Sequence, residues 1–351
     1  MGDVLVRRPT ALREASDASD TGSRKHAIPP RERLPSPRDC SMAVWIPTLP
    51  MSDNSPTLPR GTWILLCILT LGWGMNWPMI KMAIADIPVW TFRTLCVAAG
   101  AIGMFTIAWF ARLPIKIRAA QFAPLVLLAF CNVTIWNVLA AYGASLLPAG
   151  RSALLAYLMP LWTVLLSAPL LGERLTRRRV TGALLGMAGL GLLLGNDLVS
   201  IRHSTTGAGL MIGASFSWAL GTVLMKRFAL DLPPVTLTAW NMLLGGVPLA
   251  IGALALDPPH WRPIGTGAWI GLIYNMVIAF VLCYWAWFRI LTLAPAGISA
   301  LGTLAIPVVA VFGGMFILGE RPGFADFVAL ASILAALGTV MLPSRFTLRS
   351  A

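Results

Sequence analysis

One stretch of sequence occurs twice, and it decides the fold class. Residues 148–174 read PAGRSALLAYLMPLWTVLLSAPLLGER, and residues 295–321 read PAGISALGTLAIPVVAVFGGMFILGER. Both copies begin with Pro-Ala-Gly, have a proline in the middle and end with Leu-Gly-Glu-Arg, at a constant offset of 147 residues. Between these landmarks each copy is apolar over about the length that crosses a hydrocarbon core of ~30 Å. The repeat therefore predicts a duplicated membrane-spanning unit.

A weaker repeat upstream extends the duplication to most of the chain. At an offset of 145 residues, Trp73 matches Trp218 and Lys81 matches Lys226. The further matches at this offset are Asp86 with Asp231 and Pro88 with Pro233. We therefore predict two five-helix repeats, the first at residues 61–196 and the second at residues 207–343.

The composition excludes an ordinary soluble protein. Of 351 residues, 57% are hydrophobic and only 12% are charged, whereas soluble domains carry about 25% charged residues. This much apolar surface neither fits a single globular core nor suits a disordered chain, so lipid is the expected solvent. Apolar windows of span length lie at 62–84, 89–110, 122–144, 150–171, 180–196, 207–225, 235–255, 267–288, 296–318 and 324–342. We expect an all-α polytopic membrane protein with ten transmembrane helices.

Five spans per half is an odd number, so the second half must enter the membrane upside down relative to the first. The loop charges agree with this inverted arrangement and orient it. With a cytoplasmic N-terminus, twelve Lys/Arg of the membrane region fall on the cytoplasmic side and six on the other. Both termini are therefore predicted to be cytoplasmic. Inverted repeats are typical of alternating-access transporters; a duplicated membrane scaffold without transport is the alternative.

The two ends of the chain differ in composition from the region between them. Residues 1–60 contain nine Lys/Arg, seven Asp/Glu and nine prolines, which is typical of a disordered polar segment. We expect a disordered cytoplasmic tail here, and Met42 and Met51 are alternative positions for the start of translation. Residues 344–351 are expected to form a short cytoplasmic C-terminal tail.

These features together resemble a known family. The sequence WGMNWP at residues 73–78, Arg93 early in the second span and the duplicated P…LGER motif resemble the EamA branch of the drug/metabolite transporter superfamily. The likeness covers about residues 61–343. It implies a ten-helix carrier of the bacterial inner membrane, often an exporter of amino acids or similar metabolites. The branch is broad, so the resemblance does not identify the substrate.

The ionisable side chains at membrane depth are basic: Lys81, Arg93 and Arg151. No Asp or Glu lies in the middle of a predicted span, which argues against a pump that binds cations at a buried carboxylate. Charged groups in lipid are costly and are functional candidates by default. Arg93 or Lys81 could hold a substrate carboxylate, Arg93 through a bidentate fork. The alternative, strongest for Lys81 and Arg151, is that they snorkel to the outer headgroups.

Polar and aromatic side chains within the spans complete the predicted substrate site. Asn76 has the strongest claim, because Trp77 follows it and Pro78 frees a backbone carbonyl about one turn earlier. Amides in lipid bond a neighbouring helix or face a wet cavity, and the aromatic residues can equally be packing or interfacial. The predicted substrate-binding residues are Asn76, Trp77, Lys81, Arg93, Asn137, Trp218 and Tyr284.

Three prolines are predicted gate or hinge positions. Pro160 and Pro307 interrupt their spans at matching places of the two halves, which is a pointer to a transporter site. Pro78 is the third, and a kink without a gating role is the alternative for each. The Glu-Arg pairs at residues 173–174 and 320–321 lie just past span ends, where we expect them to bridge loop groups or contribute to a gate.

The sequence lacks the motifs of other function classes. The five cysteines have no CxxC spacing, and neither GxxxxGK[ST] nor HExxH occurs, so we expect no catalytic residues, no metal and no cofactor. The expected partners are a small-molecule substrate and membrane lipid, without nucleic acid, and a homodimer is left open. We expect a secondary-active exporter of an amino acid or related carboxylate. Efflux of neutral or cationic drugs is one alternative, and a membrane-embedded sensor or enzyme is another.

Overall fold

The chain is helical wherever the structure describes it. The computed structural model describes residues 60–173, most of 177–189, 202–258, 263–293, 303 and 305–341. Within these ranges no residue is in a strand, which confirms the all-α prediction for this part of the chain. The N-terminal tail, residues 190–196 of the predicted fifth span and the C-terminal tail lie outside the described residues.

The first half begins with two uninterrupted helices followed by two composite ones. Its helices are α1 (Arg60–Ile84), α2 (Val89–Phe110), α3 (Ala119–Ala129), α4 (Trp136–Leu146), α5 (Ala149–Ala156) and α6 (Met159–Leu171). A π-helical segment, π1 (Phe130–Ile135), joins α3 to α4. The third predicted span is therefore a helix with a wider turn at its centre, which the sequence analysis did not anticipate.

The second half begins in the same way, with two long helices and a composite third span. Its helices are α7 (Arg202–Phe228), α8 (Pro234–Leu256), α9 (Thr266–Ile273), α10 (Cys283–Leu293), α11 (Ile306–Leu318) and α12 (Phe324–Met341). A second π-helical segment, π2 (Tyr274–Leu282), joins α9 to α10. Both third spans thus contain π-helix near their centre, a feature frequent at functional sites.

Seven helical segments of the described residues are long and apolar enough to cross a membrane. They are Gly61–Ile84, Val89–Phe110, Ala119–Leu146, Ala149–Leu171, Thr205–Phe228, Pro234–Leu256 and Thr266–Ile290. Two shorter apolar helices, Ile306–Leu318 and Phe324–Thr339, follow. The predicted ninth span, 296–318, is described as a helix only from Ile306 onward, because residues 294–302 lie outside the described ranges.

The fourth span is interrupted just before Pro160. Helix α5 ends at Ala156 and α6 begins at Met159, with Pro160 in the first turn, where its missing N–H is not needed. Pro307 has the same place in α11. By contrast, Pro78 lies inside α1, which continues through it.

Matching glycines end α6 and α11. Gly172 and Gly319 adopt left-handed conformations with φ of 68° and 66°. The next N–H, that of Glu173 or Glu320, bonds back to a carbonyl six residues earlier. This is a Schellman end, which side chains other than glycine adopt only at a cost. The turn fixes where the two glutamates leave their helices.

Helices α1 and α7 run in opposite directions through the bundle. The C-terminal end of α1 contacts the end of α4, because Lys81 Nζ donates to the Leu147 carbonyl at 2.9 Å. Gly207, near the start of α7, packs on the same Leu147 side chain. Lys226 is 19 residues further along α7, about 29 Å away. We call these opposite ends of the bundle the Lys81 end and the Lys226 end.

Candidate substrate site

Arg93 is a buried cation near the start of α2. Only 3% of it is exposed, although it is four residues, about 6 Å, into the helix. Its Nε has no hydrogen-bond partner, and none of the ion pairs between described residues includes it. Its guanidinium carbon lies 4.9 Å from the centre of the Phe92 ring. Arg93 is therefore a buried charge without a carboxylate partner in the described structure.

Arg93 shares the face of α2 that packs against π2. Gly100 of α2 contacts Phe280, and Gly103, one turn further, contacts Val281. Arg93 precedes Gly100 by seven residues, which is two helical turns, so both are on one side of α2. Seven residues before Phe280, the contact of Gly100, the chain reaches the beginning of π2. Arg93 therefore lies level with the beginning of π2.

Asn76 faces the same segment from α1. Gly72 of α1 packs on Ile278, and the backbone of Met79 packs on Gly271, so α1 runs antiparallel to α9 and π2. Asn76 is on the stripe between these two contacts, level with Asn275 at the start of π2. The side-chain oxygens of Asn76 and Asn275 are both buried without a hydrogen-bond partner.

Two unsatisfied amide oxygens and one unpaired guanidinium thus lie near the start of π2. Asn275 is fully buried, and its nitrogen donates only to the Gly271 carbonyl at 2.9 Å. A buried polar group left without a partner costs about 1–3 kcal/mol. We call Asn76, Arg93 and Asn275 the α1–α2–π2 cluster.

Aromatic side chains lie on the side of the cluster away from the Lys81 end. Trp73, one turn before Asn76, donates to the Ala279 carbonyl at 3.1 Å. Its ring meets Tyr284 edge to face with a centroid distance of 5.5 Å. Trp77 packs in the core with 6% of its surface exposed. Of the predicted site residues, Tyr284 therefore packs on Trp73 on this side of the cluster, and Trp77 belongs to the buried core.

Asn137 and Trp218 belong to a separate group between α4 and α7. The Trp218 ring packs on Trp136 with a centroid distance of 5.1 Å. Asn137 donates to the Val133 carbonyl at 2.8 Å, within its own helix, and its oxygen has no partner. Asn132 of π1 packs against Gly221 of α7. The predicted site residues thus form two groups, one beside each π segment.

Lys81 has a partner that the sequence analysis did not consider. Its Nζ lies 3.0 Å from Glu320 Oε1. The same carboxylate accepts hydrogen bonds of 2.8 and 2.9 Å from the Ala149 N–H, at the start of α5. The contact of Lys81 in this structure is therefore a carboxylate of the second half.

Two other ion pairs with a largely buried carboxylate join the halves. Arg151 Nε donates to Asp326 Oδ1 at 2.6 Å, and only 7% of the Asp326 side chain is exposed. At the opposite end, Lys226 pairs with Glu173. Arg151, like Lys81, is therefore held by a carboxylate of the second half.

A cleft opens beside the Lys81–Glu320 pair. It has a volume of about 500 Å³ and lies between α1, α9 and α11. Its lining includes Lys81, Asp86, Leu318 and Glu320. The Lys81–Glu320 ion pair is therefore accessible from the surface of the bundle through this cleft.

The comparisons with known proteins agree with this architecture. The model of the EamA-like transporter family matches the chain twice, at residues 61–195 and 205–342. The chain belongs to the EamA-like transporter family. The family resemblance seen in the sequence is confirmed, and this EamA-like protein is a multi-pass membrane transporter.

Individual relatives are similar over most of this EamA-like chain. The uncharacterized transporter YoaV of Bacillus subtilis is 24% identical, over 80% of this chain and 96% of its own. A probable amino-acid metabolite efflux pump of Escherichia coli is 26% identical, over 80% and 94%. Protein PecM of Dickeya dadantii is 30% identical, over 64% and 75%. One crystal structure, 21% identical, superimposes with a TM-score of 0.58 over 80% of this chain and 96% of the other, which shows the fold.

Sequence reasoning missed several functional candidates of this EamA-like chain. Asn275 was indistinguishable from other in-span amides, because only the packing of α1 on π2 singles it out. The sequence analysis expected Glu320 to bridge loop groups or contribute to a gate but named no partner for it, and Asp326 was not singled out. For Glu320 the signal was nevertheless present, since Lys81 and Lys226 match at an offset of 145 residues and Glu173 and Glu320 at 147.

Proposed function

We propose that this protein is a secondary carrier that exports a small metabolite with a carboxylate group, such as an amino acid or a related acid. We further propose that it has ten spans arranged as two inverted halves in a bacterial inner membrane, with both termini cytoplasmic. The opposite directions of α1 and α7 support the inversion, and the bias of Lys/Arg toward one side supports the orientation.

The observation that carries the proposal is the unpaired guanidinium of Arg93. A buried cation without a counter-ion is costly, and an anionic substrate would supply that counter-ion during each transport cycle. The guanidinium fork fits a carboxylate with two parallel hydrogen bonds. Lys81 is left out of the proposed substrate contact because its ammonium already holds Glu320.

Asn76 and Asn275 would orient the rest of the substrate. Their unpaired oxygens are hydrogen-bond acceptors, so they suit an ammonium, amide or hydroxyl group beside the carboxylate. Trp73 and Tyr284 would contact an apolar side group of the substrate on the side of the cluster away from the Lys81 end. The E. coli relative, named as a probable amino-acid metabolite efflux pump, supports this substrate class.

The interrupted helices supply the proposed motion. The break between α5 and α6 and the start of α11 at Ile306 are matched positions of the two halves, and Pro160 and Pro307 keep each break open because proline cannot continue the helix before it. Rocking at these breaks would expose the α1–α2–π2 cluster to one end at a time. Pro78 removes one hydrogen bond inside α1 beside the cluster and would let that helix flex.

Transport in proteoliposomes tests the proposal. The purified chain is reconstituted, and the efflux of a labelled panel of amino acids, other carboxylates, neutral drugs and cationic drugs is followed. We expect carboxylates to move, Arg93→Ala to reduce their rate at least tenfold, and Asn76→Ala to reduce it less. Arg321→Gln, at an exposed arginine, is the matched control and should transport normally.

Three results would contradict the proposal in different ways. If cationic drugs move and Arg93→Ala has no effect, the carboxylate assignment is wrong. If a bound compound is chemically altered while no solute crosses, the chain is an enzyme rather than a carrier. If binding occurs without either transport or conversion, a sensor is the better interpretation.

A further inference from the structure

The two ends of the bundle carry the same ion pair, made from matching residues of the two halves. Lys81 of the first half binds Glu320 of the second, and Lys226 of the second binds Glu173 of the first. The lysines match at an offset of 145 residues and the glutamates at 147. Each half therefore gives its lysine to one end and its glutamate to the other.

We propose that these two ion pairs are end locks, each of which breaks when the substrate pathway opens at its own end. The proposal rests on the carrier function proposed above. Alternating access separates the two halves at one end at a time. A bond that joins the halves at one end cannot survive that separation, whereas the bond at the other end can.

The burial of the glutamates gives the locks their strength. Only 14% of the Glu320 side chain and 14% of the Glu173 side chain is exposed, whereas the lysines are 26% and 39% exposed, so water screens these pairs less than it screens a pair on the surface. The pair between Arg118 and Asp231, with 76% and 87% exposed, illustrates the contrasting case of a surface pair that contributes little. Glu320 also binds the Ala149 N–H, so the first lock holds the beginning of the interrupted fourth span.

The position of the cleft shows what the first lock closes. Lys81 and Glu320 form part of the wall of the cleft of about 500 Å³ at their end. Lys81 is five residues after Asn76, about 7–8 Å along α1. These five residues also turn the helix by about 140°, so Lys81 and Asn76 lie on different faces of α1. Breaking the pair would therefore remove part of the wall of this cleft at the Lys81 end.

The Lys81 end also has an ion pair without a counterpart in the sequence repeat. Arg151 and Asp326 join the halves there. At the matching positions, 147 residues later and earlier, the sequence has Ile298 and Arg179, which cannot form this pair. In the proposed orientation this is the outer end.

Cysteine labelling in lipid nanodiscs tests the locks without any substrate. Starting from a chain whose five native cysteines are replaced, Ala153→Cys places a probe one turn below Ala149 at the Lys81 end. Ser167→Cys places a probe below Glu173 at the Lys226 end. Both positions are buried, with 0% and 1% exposed. The rate of reaction with a membrane-impermeant maleimide reports how often each end opens.

We expect each lock variant to open its own end. Glu320→Gln should raise the labelling rate of the Ala153→Cys probe about tenfold, the effect of ~1.4 kcal/mol on a two-state equilibrium, and change the Ser167→Cys rate less than twofold. Glu173→Gln should do the reverse. Asp326→Asn should raise only the Ala153→Cys rate, and Arg321→Gln should change neither.

The proposal is overturned if Glu320→Gln leaves the Ala153→Cys rate unchanged, or if either glutamine variant speeds both probes alike. Should Glu320→Gln fail to fold, Lys81→Gln breaks the same pair while keeping the Glu320 bonds to Ala149, and the same two outcomes decide. Labelling needs no transported solute. Locks that respond in a chain that moves nothing would leave this inference standing while the proposed function fails.

Discussion

At the scale of single residues, Arg93 is the position where stability and function are expected to conflict. Burying a cation without a partner costs free energy, and such sites persist in proteins mainly where function requires them. The surrounding side chains do not provide the missing charge, since Cys96 and Phe92 are its close neighbours on α2. This makes a substitution at Arg93 informative in two measurements at once.

Replacing Arg93 with methionine should stabilise the protein and stop transport. The methionine has similar length and no charge to desolvate, so we expect the apparent melting temperature to rise. A gain of 1 kcal/mol corresponds to about 2–4 °C for domains of 150–250 residues. Melting in detergent and efflux from proteoliposomes are the two measurements. A lower melting temperature than the parent chain would mean that the guanidinium is already satisfied without substrate.

Sequence alone could find Arg93 and Asn76 but not their neighbours. A charge or an amide inside an apolar span can be recognised from the sequence as a functional candidate, because such a group is costly in lipid. Asn275 and Asn241 look alike in the sequence, and only the facing of π2 toward α1 distinguishes them. The partner of Lys81 is 239 residues away, beyond any local pattern.

At the scale of elements, the ends of α6 and α11 position the lock glutamates. Each helix ends in a glycine with positive φ, after which the chain turns back and presents Glu173 or Glu320. The duplicated Leu-Gly-Glu-Arg motif is therefore a helix stop followed by an ion-pair residue. The π segments, in contrast, could not be predicted, because a wider helical turn has no characteristic residue pattern.

Substituting Gly319 with alanine should destabilise the protein by about 1–2 kcal/mol, the cost of the left-handed conformation for other residues. Gly172→Ala should behave alike, because its φ is nearly the same. Gly209→Ala is the matched control, since it lies inside α7 with open space around it and alanine favours helix. Thermal unfolding of the three variants checks this. Equal melting of Gly319→Ala and Gly209→Ala would contradict the assigned role of the turn.

At the scale of the whole molecule, the proposed inverted arrangement predicts where the C-terminus lies. The proposed ten spans and cytoplasmic N-terminus would bring residue 351 back to the cytoplasm. A C-terminal green fluorescent protein fusion should fluoresce, and a C-terminal alkaline phosphatase fusion should be inactive in intact bacteria. A phosphatase fused after residue 202, at the start of α7, should be active and serves as the control. Activity of the C-terminal phosphatase would exclude an even number of spans.

The reciprocal ion pairs also have a consequence for the ancestry of the chain. A single unduplicated half would carry one such lysine and one such glutamate. Two copies inserted in opposite orientations would form both pairs at once, one at each surface of the membrane. The bonds that now join the halves are thus those that a symmetric antiparallel pair of shorter proteins would make. The Arg151–Asp326 pair, which has Ile298 and Arg179 at its matching positions, is a departure from that symmetry.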